Sequence, residues 1–205
     1  MSNINRKFFF DHVRSHLFNG SLKQSQVDGM TAILDYWESK HAKKDDRWLA
    51  YLLATAFHET DRKMQAINEY GSAAYFNGRY SPPPTGKSAK LAKALGNTQQ
   101  DDGDRFHGRG FVQLTGRRNY TDWGTRLGVD LVNKPELALD KDVATQILIE
   151  GAIKGTFTGR KLADYLNPAK EDWFNARRII NGTDKAANIA GYAKQFYAAI
   201  SYTVG

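Results

Sequence analysis

Residues 48–57, WLAYLLATAF, constrain the fold of this chain more than any other stretch. Their only polar side-chain groups are Thr55, the Tyr51 hydroxyl and the Trp48 indole N–H. A helix with no polar face is buried on all sides, so the segment predicts the centre of a core. The character flips after His58-Glu59-Thr60 to Asp61-Arg62-Lys63. Helical spacing sets Trp48, Leu52, Thr55 and Glu59 on one face, which places a carboxylate at the end of a core helix.

With 205 residues the chain can bury one substantial core, with room for two lobes around a cleft. Phe8, Phe9, His12, Val13, His16 and Leu17 recur at helical spacing until Asn19-Gly20-Ser21 stops them. Ser21 resembles an N-cap for a second helix, with Val27, Met30, Ile33, Leu34 and Trp37 on one stripe. Residues 41–46 read as a charged turn. Residues 68–110 hold Gly71, Gly78, Gly86, Gly96, Gly103, Gly108 and Gly110 together with Pro82-Pro83-Pro84. That punctuation predicts loops and short strands with one helix near 88–95. Residues 119–127, 142–153, 169–180 and 186–202 read as helical again. The expected organisation is a single domain over 1–205. Its N-terminal region (1–60) and C-terminal region (116–205) are helical, and the stretch between them (61–115) is loop-rich. A loop region this long inside a compact domain is usually functional.

Several chemistries are excluded early. No cysteine is present, which removes disulfides, thiolate zinc sites and a cysteine nucleophile together. His58-Glu59 opens a zinc-protease motif, but Arg62 stands where its second histidine belongs. The five histidines (12, 16, 41, 58, 107) lack ligand spacing, so neither metal nor other cofactor is expected. No apolar run approaches the roughly 18 to 20 residues of a membrane span. Phe8-Phe9-Phe10 is cut by Asp11, His12 and Arg14, short of the apolar core of a secretory signal. The expected location is therefore the cytoplasm until something else releases the protein.

The net charge of +7 favours anionic partners. Nucleic acid, anionic lipid and bacterial wall polymer all qualify, and charge alone does not choose among them. No recognisable nucleic-acid motif is present. Arg6-Lys7-Phe8-Phe9-Phe10 and Lys194-Gln195-Phe196-Tyr197 mix basic and aromatic residues as interfacial helices do. Amphipathic packing is the simpler reading of both; a cationic membrane- or wall-binding module is the alternative.

Two carboxylates stand out. On the plain reading Glu59 marks where a core helix meets solvent; on the functional one it donates a proton to a leaving group. Glu69 follows ten residues later in Asn68-Glu69-Tyr70-Gly71, on what reads as a mobile polar loop. Paired carboxylates in different environments are what glycoside hydrolysis needs. Further on runs GRGFVQLTGRRNY, residues 108–120. Glycines on both sides of Arg109 permit close backbone approach. Gln113, Thr115 and Asn119 are short polar groups able to position water or sugar hydroxyls.

These pieces together resemble a known family. Ala56-Phe57-His58-Glu59-Thr60, then Gly108-Arg109-Gly110-Phe111-Val112-Gln113-Leu114-Thr115 with Asn119-Tyr120, then Arg178-Ile179-Ile180-Asn181-Gly182 are similar to three hallmark blocks of glycoside hydrolase family 19. That family comprises chitinases and a branch of phage endolysins. Leu127-Gly128-Val129-Asp130-Leu131 and Asn133-Lys134-Pro135-Glu136-Leu137-Ala138 match its pattern as well, so the resemblance spans roughly residues 48–185. It implies a mainly α, lysozyme-like fold, two helical lobes around a cleft with a small β region. It implies Glu59 as general acid, Glu69 as general base in an inverting mechanism, and Thr115 as holder of the attacking water. It further implies substrate contacts at His58, Gln113, Asn119, Tyr120, Arg178 and Asn181.

The departures from the family pattern point to one branch. Plant-type members carry disulfides and a tryptophan-asparagine-tyrosine run where this chain has Gly116-Arg117-Arg118, and Phe111 replaces a common proline. With the basic balance, these favour the phage endolysin branch: an N-acetylmuramidase cleaving β-1,4 bonds of peptidoglycan to lyse the host cell. A chitinase is the alternative. The expected partners are peptidoglycan and a separate holin-type protein for release to the periplasm. Nucleic acid and stable membrane insertion are not expected, and the chain is expected to be a monomer.

Overall fold

A computed structural model describes residues 4–201, and they are mostly helical. In chain order come α1 (Arg6–His16), α2 (Gln24–His41), α3 (Asp46–Glu59), β1 (Ile67–Asn68), α4 (Ala73–Tyr80), α5 (Ala89–Leu95), α6 (Asp102–Arg105), β2 (Arg109–Gly110) and α7 (Arg117–Leu127). After a 3₁₀ turn at Pro135–Leu139 follow α8 (Lys141–Lys154), a 3₁₀ turn at Leu162–Asp164, β3 (Leu166–Asn167), β4 (Lys170–Glu171), a 3₁₀ turn at Asn175–Ile179 and α9 (Ala186–Ile200). This is the helical, lysozyme-like architecture expected. Among the described residues no helix is long and apolar enough to cross a membrane.

Three local expectations need correction. Ser21 does not cap α2: the Gln26 side chain accepts the Lys23 N–H at 2.8 Å instead, so the helix starts at Gln24. The glycine-rich stretch contains α4 and α6 as well as the expected α5. There Ser72 accepts the Tyr75 N–H at 3.2 Å, and Phe76 and Tyr80 turn inward, enough to hold two helical turns despite Gly78. Residues 169–180 form no α-helix. Pro168 interrupts, and Asn167 and Asp172 accept backbone N–H groups from Ala169 and Asn175 at 2.9 and 3.0 Å. Such side-chain bonds compete with helix formation, and a β3–β4 hairpin followed by a 3₁₀ turn results. The last expected helical residue, Tyr202, lies outside the described residues.

The chain divides into two compact units. The first combines Met1–Gln65 with Thr145–Gly205. At its centre α3 buries every residue from Leu49 to Phe57, as an all-apolar helix must. Two of the three polar groups of that segment find partners: the Trp48 indole donates to Leu166 O at 2.8 Å and Thr55 Oγ1 to Tyr51 O at 2.9 Å. The Tyr51 hydroxyl is buried without a hydrogen bond, and burial pushes its pKa well up. On α9, Tyr192 and Phe196 pack edge-on against Phe57, with ring centroids 4.9 and 6.0 Å away. Phe9 of α1 stacks on Phe196 at 6.3 Å. Phe9, Phe57 and Phe196 are fully buried and worth about 1.5–3 kcal/mol each, which fixes the end of α3 that carries Glu59.

The second unit, Ala66–Ala144, is built on the short antiparallel pair of β1 and β2, with Ile67 opposite Gly110 and Asn68 opposite Arg109. α4 and α6 pack through side chains that replace sheet bonds. Asn77 Oδ1 accepts the Asp104 N–H at 2.7 Å, and Ser81 Oγ accepts the Gly103 N–H at 3.0 Å. Asp102, fully buried, accepts the Thr98 and Gln99 N–H groups and pairs with Arg117 at the start of α7.

Candidate active site

Glu59 ends α3 with its side chain 18% exposed, and Arg177 Nη1 donates to its Oε1 at 2.5 Å. The Arg177 side chain is only 5% exposed, and its Nε also donates to Asp184 O at 3.3 Å. Removing one partner of a pair this buried strands the other charge, at a cost of about 3–5 kcal/mol. The sequence pattern singles out Arg178 and gives no reason to choose Arg177. The 3₁₀ turn sends Arg177 inward and leaves Arg178 exposed, with its Nε on Asn175 Oδ1 at 3.2 Å. The signal that could have found Arg177 is Asp172-x-x-Asn175, a side-chain-closed turn that resets which residue faces in.

Two more expected residues lie in the same unit. His58 is half-buried, and its pKa is lowered chiefly by burial, with Glu59 pulling the other way and Arg177 adding to the depression. The imidazole is thus neutral at pH 7, able to accept or donate one hydrogen bond. Asn181 is exposed, and its Oδ1 accepts the Gly182 N–H at 2.8 Å.

Glu69 follows β1 in the second unit and is held on three sides. Tyr80 Oη donates to Oε1 at 2.7 Å, the Gly108 N–H donates to Oε2 at 3.0 Å, and the Glu69 N–H donates to Gly108 O at 2.7 Å. The expectation of a mobile loop is therefore corrected: neighbours on α4 and at the start of β2 fix this carboxylate. A Cβ at Gly108 would meet Gln113 Oε1 at 2.9 Å and Glu69 Oε2 at 3.1 Å. A side chain there would press on both groups, so Gly108 leaves room for the carboxylate, which ties the first glycine of the GRG run to it.

Thr115 is half-buried and its Oγ1 donates to Gln113 O at 2.8 Å. With that proton committed, the oxygen keeps only acceptor capacity. It can take an O–H from a water and leave that water's lone pairs free. Gln113 adopts φ +53° and its Nε2 donates to Ile67 O and Gly110 O at 3.2 and 3.3 Å. Asn119 Nδ2 donates to Thr115 O at 2.7 Å. Both amide nitrogens thus shape the turn that presents Thr115.

Tyr120 departs from its expected role as a substrate contact. It is fully buried, its hydroxyl donating to His107 O and accepting from Arg109 Nη1, both at 2.9 Å, and burial pushes its pKa up to about 12. A ring with no solvent contact cannot touch a polymer; it supports the backbone between His107 and Arg109. Arg117-Arg118 also changes meaning. Arg117 Nε donates to Asp102 Oδ2 at 2.9 Å, and Arg118 reaches the Ala94 carbonyl. Arg117 is thus a structural cation rather than a free one.

Each unit thus carries one carboxylate in its own setting, Glu59 paired with buried Arg177 in the first and Glu69 held by the Gly108 backbone in the second. The family model of glycoside hydrolase family 19, described as chitinase class I, matches residues 28–157, and the chain belongs to that family. Acidic endochitinase Q of Nicotiana tabacum is 35% identical over 125 residues, covering 58% of this chain and 46% of its own length. Endochitinase CH5B of Phaseolus vulgaris is 33% identical over 91 residues, 44% of this chain and 26% of its own. The chain spans less than half the length of these curated relatives. Chitinase C from Streptomyces griseus superposes with a TM-score of 0.58 at 18% identity, over 98% of this chain and 78% of that one. A bacterial family 19 chitinase superposes at 0.56 and 19% identity, over 98% and 97%. At such identities the likeness is one of fold.

Proposed function

We propose that the protein hydrolyses β-1,4 glycosidic bonds of bacterial peptidoglycan as an N-acetylmuramidase in cell lysis, acting as one catalytic domain. The observation that carries the glycosidase chemistry is Glu59, a largely buried carboxyl at the end of a core helix, within the stretch that matches the glycoside hydrolase family. In this reading Glu59 must first take up a proton, which releases its ion pair with Arg177, and it then passes that proton to the glycosidic oxygen as the bond breaks. Glu69 takes a proton from water as the water attacks the anomeric carbon from the opposite face. Thr115 accepts the water's other O–H and so aims its lone pair. His58, Gln113, Asn119, Arg178 and Asn181 complete the polar surroundings of the sugar, with the amides of Gln113 and Asn119 acting chiefly through the turn.

The net charge of +7 favours the wall polymer over chitin, since peptidoglycan carries carboxylates and chitin is neutral. The protein works as a monomer, released toward the wall through a separate holin-type protein, with neither a nucleic-acid partner nor a cofactor. The second reading, a chitinase, draws on the relatives, which are chitinases of plants and bacteria. Mass spectrometry of digested sacculi separates the two. Muropeptides with N-acetylmuramic acid at the new reducing end support the proposal. Turnover of chitin hexamer without muropeptide release moves the assignment to chitinase.

A further inference from the structure

Within the second unit α4 presents a pocket of about 400 Å³ lined by Ala74, Tyr75, Gly78, Arg79 and Lys87. Tyr75 is 46% exposed on a surface that buries most of its aromatic rings. Arg79, one turn on, donates from Nη1 to the Tyr75 hydroxyl at 2.9 Å, and its guanidinium carbon lies 5.3 Å from the Tyr80 ring centre. The Lys87 N–H donates to Gly78 O at 3.1 Å, which returns the chain after the Pro82-Pro83-Pro84 turn to this face. Neither Arg79 nor Lys87 forms an ion pair among the described residues, so both charges remain available.

Gly78 is the least expected lining residue. Glycine inside a helix is destabilising relative to alanine. A close neighbour usually explains it, yet a Cβ built on Gly78 meets nothing within 4 Å. No packing requirement keeps a side chain out, and what its absence preserves is an open floor between the tyrosine and the two cations. An exposed ring beside cations suits a sugar that stacks on the ring and carries an acid. A neutral sugar would use the ring and leave both cations idle. The same helix also carries Tyr80, which donates to the candidate base Glu69 at 2.7 Å. Tyr80 above all, then Tyr75 and Glu69, holds the Arg79 pKa above its ordinary value.

We propose that this pocket is a subsite for the carboxylate-bearing sugar of the wall glycan, with Tyr75 beneath the ring and Arg79 and Lys87 at the carboxylate. The inference rests on the peptidoglycan reading and gives it a specificity-determining site. The carboxylate has two sources, the free lactyl group of a stripped glycan and the peptide stem of an intact one.

The test is an NMR titration of the whole protein with N-acetylmuramic acid and with N-acetylglucosamine, which differ by the lactyl acid. The acid sugar should bind roughly three- to ten-fold more tightly, the range two exposed charge contacts provide, and should shift the Tyr75, Gly78 and Lys87 amides. Arg79→Gln with Lys87→Gln should erase the preference, and Gly78→Leu should block both sugars in a protein of unchanged circular dichroism. Equal affinity in the wild type, or a preference that survives the double variant, overturns the subsite. Lysis rates on intact and amidase-stripped sacculi identify the source. A variant deficit on intact sacculi alone names the stem carboxylates, and a deficit on both includes the lactyl group. Absence of muropeptides from the wild type would fail the peptidoglycan reading, while the sugar titration still decides the pocket.

Discussion

Gly108 and Glu69 hold each other through backbone and side chain: the Glu69 N–H donates to Gly108 O at 2.7 Å and the Gly108 N–H donates back to Glu69 Oε2 at 3.0 Å. Two segments 39 residues apart are joined at the carboxylate itself. A side chain at Gly108 would press on the carboxylate and on Gln113, and both would have to shift. The GRG run therefore carries a positioning function as well as a turn.

Gly108→Ala should lower kcat at least about ten-fold by displacing Glu69, since small misplacements at a reacting centre are costly. Overpacking here should cost about 1–3 kcal/mol of stability. Steady-state kinetics beside a thermal melt check both. A variant with full kcat would show that Glu69 does not need this position.

Glu59→Gln should lower kcat by roughly 10²- to 10⁴-fold, the usual worth of a general acid, with the fold intact. The amide oxygen of Gln can still accept from Arg177, so the buried guanidinium keeps a partner. Arg177→Ala should be the more destabilising change because it leaves the carboxylate beside a void. Denaturant melts rank the two, and more than about a tenth of wild-type turnover in Glu59→Gln would remove Glu59 from the acid's role.

Stability should fall as the pH drops below about 6.5, the ordinary histidine value. His12, His58 and His107 all have pKa values lowered in the folded protein, chiefly by burial. The unfolded chain then binds protons more readily, so the contribution is complete above the unfolded value and is lost toward the lower folded values. Melting temperatures at pH 7.5 and 5.5 check the sign, and His107→Asn should flatten the difference. Asp102 and Glu150, lowered carboxylates, act the same way only below about pH 4.5.

Gly78→Ala should raise stability by about 0.5–1 kcal/mol, because the new methyl meets open space and alanine suits a helix better. A melt reading a lower midpoint would mean that the α4 backbone at this position needs glycine.

How much of this was legible in the sequence varies with the source of order. α3 was legible because burial on all sides leaves a compositional mark, and Glu59 at its end followed from that. α4 was not, because Gly71, Gly78 and the prolines mask eight residues whose order comes from Ser72, Phe76 and Tyr80. The segment 169–180 misled because Trp173, Ala176, Arg177 and Ile180 fall at helical spacing while Asp172 and Asn167 close turns by side chain. The same spacing hid Arg177, the buried partner of Glu59. Glu69 was found, but its immobility was invisible, since it depends on a backbone contact from Gly108.

The stereochemistry of the first product tests the assignment of Glu69 and Thr115 most directly. If Glu59 protonates the leaving oxygen while a Glu69-activated water attacks the opposite face, each β-linked bond yields an α-anomer. A nucleophilic carboxylate would instead give two inversions and a β-anomer. Thr115 enters through its oxygen: Oγ1 already donates to Gln113 O at 2.8 Å, so toward the water it can only accept. Thr115→Ser keeps that acceptor and should keep most of kcat. Thr115→Val keeps the shape but loses the acceptor, so it should lower kcat more than it raises KM, as expected for an interaction used in the transition state. Proton NMR of freshly formed muropeptide, read before mutarotation, decides the outcome. A β-anomer at the earliest time point would exclude direct displacement by water and, with it, the proposed role of Thr115.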